Sequence, residues 1–402
     1  MADRPSLLSI PFVLGFVANF LHSLAFYSYL HLPGLLRGWD TDELMIGVVM
    51  GAASAAGIVC RPWVGQTVDR RGRKIVVVIG GLLHLAVAIA YLTFDAIGPW
   101  LFAIRFAHGV AIAMLFTVLF TIAADVAPES RRTEGIAIFG LSGILPMSVA
   151  GLLGDAILAR GSYQDLFTVV VFTTAVATAV GMFLPEPERP PNSRAQRSFA
   201  AVVAVPTLRP LWLVGVGFAL AIAAYFTFVK TFVLDEQVGS VGGFFTAYTA
   251  AAVVLRLFFG WVPDRVGPRR ALVPSMFAVA GGLVLLATAT SDTDVLVAGV
   301  LTGTGHAWVF PIASALVVQR ASPQERGAAL AMFTALFDIG LLIGGPLYGA
   351  ILQRTDYTTT FTVAAAVATA ATVIWLPWDV RVSGRKSATE SQASPLDRRH
   401  SR

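Results

Sequence analysis

Apolar residues fill the chain in runs of about twenty, each ended by a short polar turn. Twenty helical residues cross roughly 30 Å of hydrocarbon, so each run predicts a membrane-spanning helix. Twelve are predicted, near 8–31, 44–63, 75–94, 99–124, 135–158, 166–184, 211–233, 242–262, 271–290, 294–318, 328–352 and 359–378. The connections are short except for 185–210, which begins PEPERPPNSRAQRS. Such a stretch buries no core and predicts a linker. The pattern divides the chain into a six-helix half over 1–184, a linker over 185–210, a second six-helix half over 211–379, and a polar tail over 380–402 expected to be disordered. The fold class expected is an all-α polytopic membrane protein.

Composition agrees with the pattern. Hydrophobic residues make up 56% and charged residues 13%, and the mean hydropathy is +0.73; a soluble domain carries about a quarter charged residues. The run starting at Leu7 lacks a small-residue cleavage site and reads as an uncleaved first span. The single cysteine, Cys60, lies in an apolar run and predicts packing rather than a disulfide.

Charge gives the orientation. Of the 29 Lys and Arg residues, Arg37, Arg160 and Arg354 fall in the connections after odd-numbered spans, and Arg105 and Lys230 fall inside spans. All others gather at the termini, the linker and the connections after even-numbered spans, or, as Arg61 and Arg256, beside those connections. Basic residues stay in the cytoplasm, so both termini are expected there, in a cell inner membrane. The opposite loops carry Asp40, Asp42, Glu43, Asp95, Asp165, Asp235, Glu236, Asp292 and Asp294. The net charge of +5 thus belongs to a face beside anionic lipid, not to a nucleic-acid site.

One charged turn occurs twice. GQTVDRRGRK starts at Gly65 and GWVPDRVGPRR at Gly260, with Asp69 and Asp264 standing 195 residues apart. The same interval separates Pro128 from Pro323, Arg131 from Arg326, and Arg61 from Arg256, while Asp125 and Arg320 hold matching places with opposite charge. Two homologous halves, each starting on the same side, are related by an axis along the membrane normal.

With these motifs the chain resembles the major facilitator superfamily over essentially its whole length. The turn signature of that family, Gly-x-x-x-Asp-Arg-x-Gly-Arg-Arg, is matched by Gly65, Asp69, Arg70, Gly72, Arg73 and Lys74, and again by Gly260, Asp264, Arg265, Gly267, Arg269 and Arg270, interrupted by Pro268. A span-4 pattern is matched by Arg105, Gly109 and Ala113. Within the family the likeness is to bacterial twelve-helix drug- and sugar-efflux proton antiporters. One departure weakens antiport: span 5 keeps Pro146, Gly151 and Gly154 without the antiporters' Gly-Pro pair, and a Gly-Pro-x-x-Gly run stands in span 11 at Gly345–Gly349.

The resemblance implies that Asp69 and Asp264 meet helix starts of the opposite half, span 11 near Gly327 and span 5 near Glu134, when the cytoplasmic side is closed. A carboxylate at a helix N-terminus is stabilised by ~0.3–1 kcal/mol when exposed. The gate expected comprises Gly65, Asp69, Arg70, Gly72, Arg73, Asp125, Arg131, Gly260, Asp264, Arg265, Gly267, Arg269, Arg320 and Arg326, with Gly65 and Gly260 permitting close helix approach.

Ionised groups inside spans cost at least ~2.5–3.5 kcal/mol on insertion scales and so mark cavities or pairs. Asp338 lies near the middle of span 11 and is expected to carry a proton, with Arg105 as its companion; the bland alternative is a static ion pair. Lys230 is either functional or reaches out to the interface. Asn19, His22, Ser23 and Tyr27 share a face of span 1; His108 follows Arg105, His306 is mid-span, and His84 is expected to be structural. Phe20, Phe26, Tyr225, Phe228, Trp308 and Phe337 are candidates for an apolar cavity lining.

No metal spacing, phosphate loop or other cofactor signature is present in the sequence, and no enzyme is expected. The reading is a secondary active transporter exporting a small organic molecule by proton antiport with alternating access, working as a monomer whose partners are its substrate, protons and lipid. Two other readings stay open on the sequence: an importer or facilitator of a small metabolite, and a non-transporting sensor or assembly protein on the same fold.

Overall fold

The computed structural model describes residues 6–186, 202–322 and 325–393, with side chains described except at 61–62, 65–66, 68–71, 130, 132–133 and 383–393. Twelve of its helices are long and apolar enough to span a membrane. They are α1 (Ile10–Ser28), α2 (Glu43–Arg71), α3 (Arg73–Ala90), α4 (Pro99–Val126), α5 (Arg132–Leu158), α6 (Tyr163–Met182), α7 (Arg209–Asp235), α8 (Val241–Phe259), α9 (Pro268–Ala287), α10 (Asp292–Arg320), α11 (Arg326–Leu352) and α12 (Tyr357–Ala393). No strand occurs among the described residues. The helices form two six-helix halves, α1–α6 and α7–α12, as the repeat predicts.

Three boundaries differ from the hydropathy reading. The first span does not stop at 31: after α1 it tightens into a one-turn 3₁₀ helix, Tyr29–His31, then continues as Leu32–Arg37. Pro33 suits this restart, because a first-turn proline gives up no intrahelical bond. The second span does not stop at 63 but runs to Arg71, where Gly72 ends it. The tail expected to be disordered from 380 instead continues α12 as helix to Ala393; no proline or pair of glycines interrupts VRVSGRKSATESQA. Most of the linker, 187–201, lies outside the described residues.

The ends of the bundle are chemically different for a reason visible in the caps. At the acidic end, the even-numbered helices other than α4 begin on capping side chains. Asp42 accepts from the Met45 amide at 2.8 Å, and Ser240 accepts from Gly243 at 2.9 Å. Ser162 with Asp165, and Ser291 with Asp294, form reciprocal capping boxes. Asp356 accepts from the Thr359 amide at 2.7 Å, a bond that holds its carboxyl below the usual carboxylate range. The acidity of these loops is thus largely the acidity of helix starts. At the basic end, the two repeated turns close on Gly72 and Gly267, at φ 103° and 92°, a backbone region that side chains other than glycine's adopt only under strain.

Candidate functional site

The halves meet along two glycine seams, both reaching from the acidic end toward the middle. In the first, α2 lies against α11. A Cβ on Gly47 would strike the Gly345 carbonyl, one on Gly349 would strike the Glu43 carbonyl, and one on Gly51 would come within 2.9 Å of the Leu342 carbonyl. The Gly344–Gly349 run is therefore a packing surface: Gly344 serves α7 at Ala223, and Gly345 and Gly349 serve α2. In the second seam α5 lies against α8, where Gly151 and Gly242 leave room for backbone contact. There Gly242 donates its amide to Asp155 at 2.6 Å. The Ser148 and Thr246 hydroxyls lie 2.8 Å apart, and Thr249 donates to the Ile144 carbonyl at 3.4 Å.

Charges reinforce this closed end. Arg37 bridges Glu43 at 2.8 Å and Asp235 of the other half at 3.4 Å, and Tyr357 donates to the same Asp235 at 2.7 Å. Lys230 does not reach out to the interface. It is buried, packs by its stem on Gly34, and lines a 360 Å³ cavity with Asp155 and Tyr163. His31, which the sequence reading passed over, is fully buried beside Gly154, 3.8 Å from Asp155.

The basic end is arranged the other way. Among the described residues no hydrogen bond or ion pair joins the halves there. Asp264 is exposed, and its expected counterpart region is occupied locally, Glu134 bonding Arg131 at 2.8 Å. Arg265 stacks on Trp261 of its own turn at 4.5 Å, Arg326 is exposed, and a Cβ on Gly260 would meet only its own helix at Arg256. Among the described residues, Asp264 thus has no contact with the opposite half. Gly65, Asp69 and Arg70 of the first copy lie outside the residues whose side chains are described.

Within each half the turn is anchored to the end of that half's last helix. Arg73 is buried and bonds Asp125 at 3.1 Å, while the amides of Arg73 and Lys74 both donate to Glu186 at 2.8 Å, placing a carboxylate on the start of α3. In the second half Pro268 replaces Arg73 and Arg320 replaces Asp125. The charge is restored from α12: buried Asp379 accepts from Arg269 at 2.6 Å and from Arg320 at 2.9 Å. Arg73 is thus more than a topology signal.

Between the two ends lie the buried polar groups. Asp338 sits midway along α11 against α2, its carboxylate 2.9 Å from where a Gly57 Cβ would stand. Arg105 does not accompany it. Its donors go to the carbonyls of Val49 at 3.0 Å and Met50 at 2.7 Å and to the Tyr91 hydroxyl at 3.3 Å, which ties α4 to α2 and α3. Asn19 bonds Ser142 of α5 at 2.8 Å.

The histidines form a cluster that sequence reasoning split. His22 and His84 meet nitrogen to nitrogen at 3.1 Å. His84 stacks on His108 at 5.2 Å, and His108 bonds the Tyr91 hydroxyl at 3.3 Å. His84 therefore touches both His22 and His108. In the other half His306 bonds Tyr248. Tyr225 and Phe228 are fully buried core residues, whereas Tyr27, Phe337 and Trp308 remain partly accessible.

The sequence profile described as Major Facilitator Superfamily matches residues 12–245 and 211–401. Among curated relatives, the uncharacterized MFS-type transporter YhhS of Escherichia coli is 25% identical over an alignment of length 413, covering 97% of this chain and 98% of its own. The staphylopine export protein of Staphylococcus aureus is 26% identical, covering 79% of this chain and 83% of its own. Among solved structures, the nucleoside transporter NupG superposes with a TM-score of 0.77 at 15% identity, over 92% of this chain and 99% of that one.

Proposed function

The chain belongs to the Major Facilitator Superfamily, and from that premise we propose that it exports a small organic molecule in exchange for protons, by alternating access. The observation that carries the reading is the position of Asp338. It is an acid halfway along a spanning helix, on the seam between the halves at Gly57, on the basic side of the glycine contacts at Gly47 and Gly51. A carboxylate so placed exchanges its proton with one side at a time as the seam opens and closes. The similarity to an export protein of Staphylococcus aureus supports the outward direction.

On this reading the basic end is cytoplasmic, both termini lie there, and the state seen is inward-facing. The protein works as a monomer in the cell inner membrane. Lys230, Asp155 and His31 belong to the outer gate, Asn19, His22, Tyr27, His108 and His306 to the pathway walls, and the two repeated turns to the inner latch. A second reading, import of a metabolite, is favoured by one feature, the lack of a Gly-Pro pair in α5.

The test uses inside-out membrane vesicles holding an imposed pH gradient and a panel of candidate toxins and metabolites. Wild-type vesicles should lose part of the gradient when a substrate is added, and Asp338→Asn vesicles should not. Equal substrate-driven proton movement in the two would overturn the coupling. Accumulation of the same compounds in overexpressing and deletion cells separates export from import.

A further inference from the structure

We propose that Arg256, with Tyr27 and Trp308, forms a receptor for a monoanionic organic carboxylate, making the transported molecule a carboxylic acid. This rests on the transport reading and names its substrate class.

The site begins with a proline. Pro311 lies inside α10 and has no amide hydrogen, so the carbonyl four residues earlier, at Ala307, loses its helical donor. Arg256 of α8 supplies the replacement: its Nε donates to the Ala307 oxygen at 3.2 Å. That single bond orients the guanidinium and leaves both terminal nitrogens without a hydrogen bond among the described residues. No carboxylate among the described residues pairs with it. Its electrostatic neighbours are the hydroxyls of Tyr248, on its own helix, and Tyr27, from the other half. A charge inside the bundle with no counterion is costly unless a ligand or water compensates it.

The remaining groups are donors. Trp308, next to the Ala307 carbonyl, has a buried indole N–H with no partner. Tyr27 makes no hydrogen bond among the described residues, while Tyr248 is already engaged by His306. Arg256, Tyr27, His306 and Trp308 are all partly accessible, as groups that receive a ligand must be. One guanidinium charge with neutral N–H and O–H donors balances one negative charge on an acceptor-only ligand. The paired terminal nitrogens of arginine match the two oxygens of a carboxylate. Because Tyr27 and Arg256 come from opposite halves, the arrangement exists only in states that bring them together, as a substrate site under alternating access requires.

The test needs neither a known substrate nor a gradient. Purified protein is treated with phenylglyoxal, which adds to accessible guanidinium groups, and labelling is read at each arginine by peptide mass spectrometry. Matched pairs are added as protectants: acetate and acetamide, benzoate and benzamide, phenylacetate and phenylacetamide. Arg256 should be labelled, and at least one carboxylate should slow that labelling several-fold while its amide does not. Arg105, with its donors on carbonyls, should stay unlabelled. In Tyr27→Phe protein Arg256 should still be labelled but protected less. An unlabelled Arg256, or protection that does not distinguish carboxylate from amide in any pair, would overturn the proposal. Either result would leave the Asp338 vesicle test unaffected, and failure of that test would leave the anion site standing.

Discussion

Arg320 of α10 donates to buried Asp379 of α12 at 2.9 Å, and it does so from the position where the other half carries Asp125. The two halves thus use opposite charges at one place, each answered by a different neighbour. Asp125 is answered by Arg73 of its own half's turn at 3.1 Å. Arg320 is answered by an acid on the last helix, which Arg269 also binds. Removing one member of a buried ion pair costs about 3–5 kcal/mol because the other is left uncompensated. Asp379→Asn should therefore lower the melting temperature in detergent by several degrees. Arg320→Gln added to it should cost much less than the sum of the two singles. Additive losses would mean that the pair is not coupled.

The seam between α5 and α8 must part if substrate crosses. Ser148 and Thr246 have hydroxyl oxygens 2.8 Å apart, close enough for a bridge between sulfurs in their place. With Cys60→Ser as background, Ser148→Cys combined with Thr246→Cys should cross-link under mild oxidation. Transport should stop when it does and return on reduction. Full transport by the cross-linked protein would show that this seam stays closed throughout the cycle.

Asp264 is exposed and engaged by nothing among the described residues. A latch that engages only in another state predicts a variant harmless to this one. Asp264→Asn should change stability by no more than about 0.5 kcal/mol, the usual range for a surface substitution, while lowering turnover severalfold with substrate affinity kept. Melting curves and initial transport rates on the same preparation check both halves of this statement. A large loss of stability would place Asp264 in the present state's framework instead.

Arg105 serves the framework. It bonds the Val49 and Met50 carbonyls and the Tyr91 hydroxyl, a fork that lysine does not reproduce. Hydrogen bonds to charged groups contribute about 1.5–3 kcal/mol each. Arg105→Lys should lose on the order of 2 kcal/mol of stability, and the number of protons moved per substrate should be unchanged. A changed stoichiometry, measured from paired pH and substrate fluxes, would return Arg105 to the proton pathway.

How far the sequence reached follows from the range of the interactions. The twelve helices, the two halves and the repeated turn are written in local pattern: runs of apolar residues, a recurring Gly-x-x-x-Asp-Arg, and basic residues on one side. Partners across the bundle are not. His84 looks isolated in its own helix because the ring it bonds, His22, is 62 positions away. Arg105 was matched to Asp338 because both are charged and deep, yet its acceptors are backbone carbonyls, which no sequence pattern marks. The continuation of the first span to Arg37 is not marked by hydropathy, because Pro33 falls in the first turn of a new helical segment. His31 lay hidden in that misread boundary. One signal was available and unused: Pro311 announces a free carbonyl at Ala307, and Arg256 answers it.

The repeated turns offer a final test in which backbone strain separates from packing. Gly267 has φ 92°, and a Cβ added there would meet nothing within 4 Å. Any loss on Gly267→Ala therefore comes from the backbone conformation alone, about 1–3 kcal/mol for an L-residue at φ 92° and ψ 144°. Gly267→Asn should lose as much, because asparagine's tolerance of positive φ is for the left-handed helical region and not for ψ 144°. Gly72, at φ 103°, caps α3, whose first amides hold Glu186 at 2.8 Å. Gly72→Ala should cost as much as Gly267→Ala and, in addition, loosen that carboxylate. A double-mutant cycle with Glu186→Gln would then show coupling at Gly72, with none expected for Gly267 paired with the same change. Equal coupling at both glycines would mean that Glu186 acts through the general stability of the fold and not through the turn it touches.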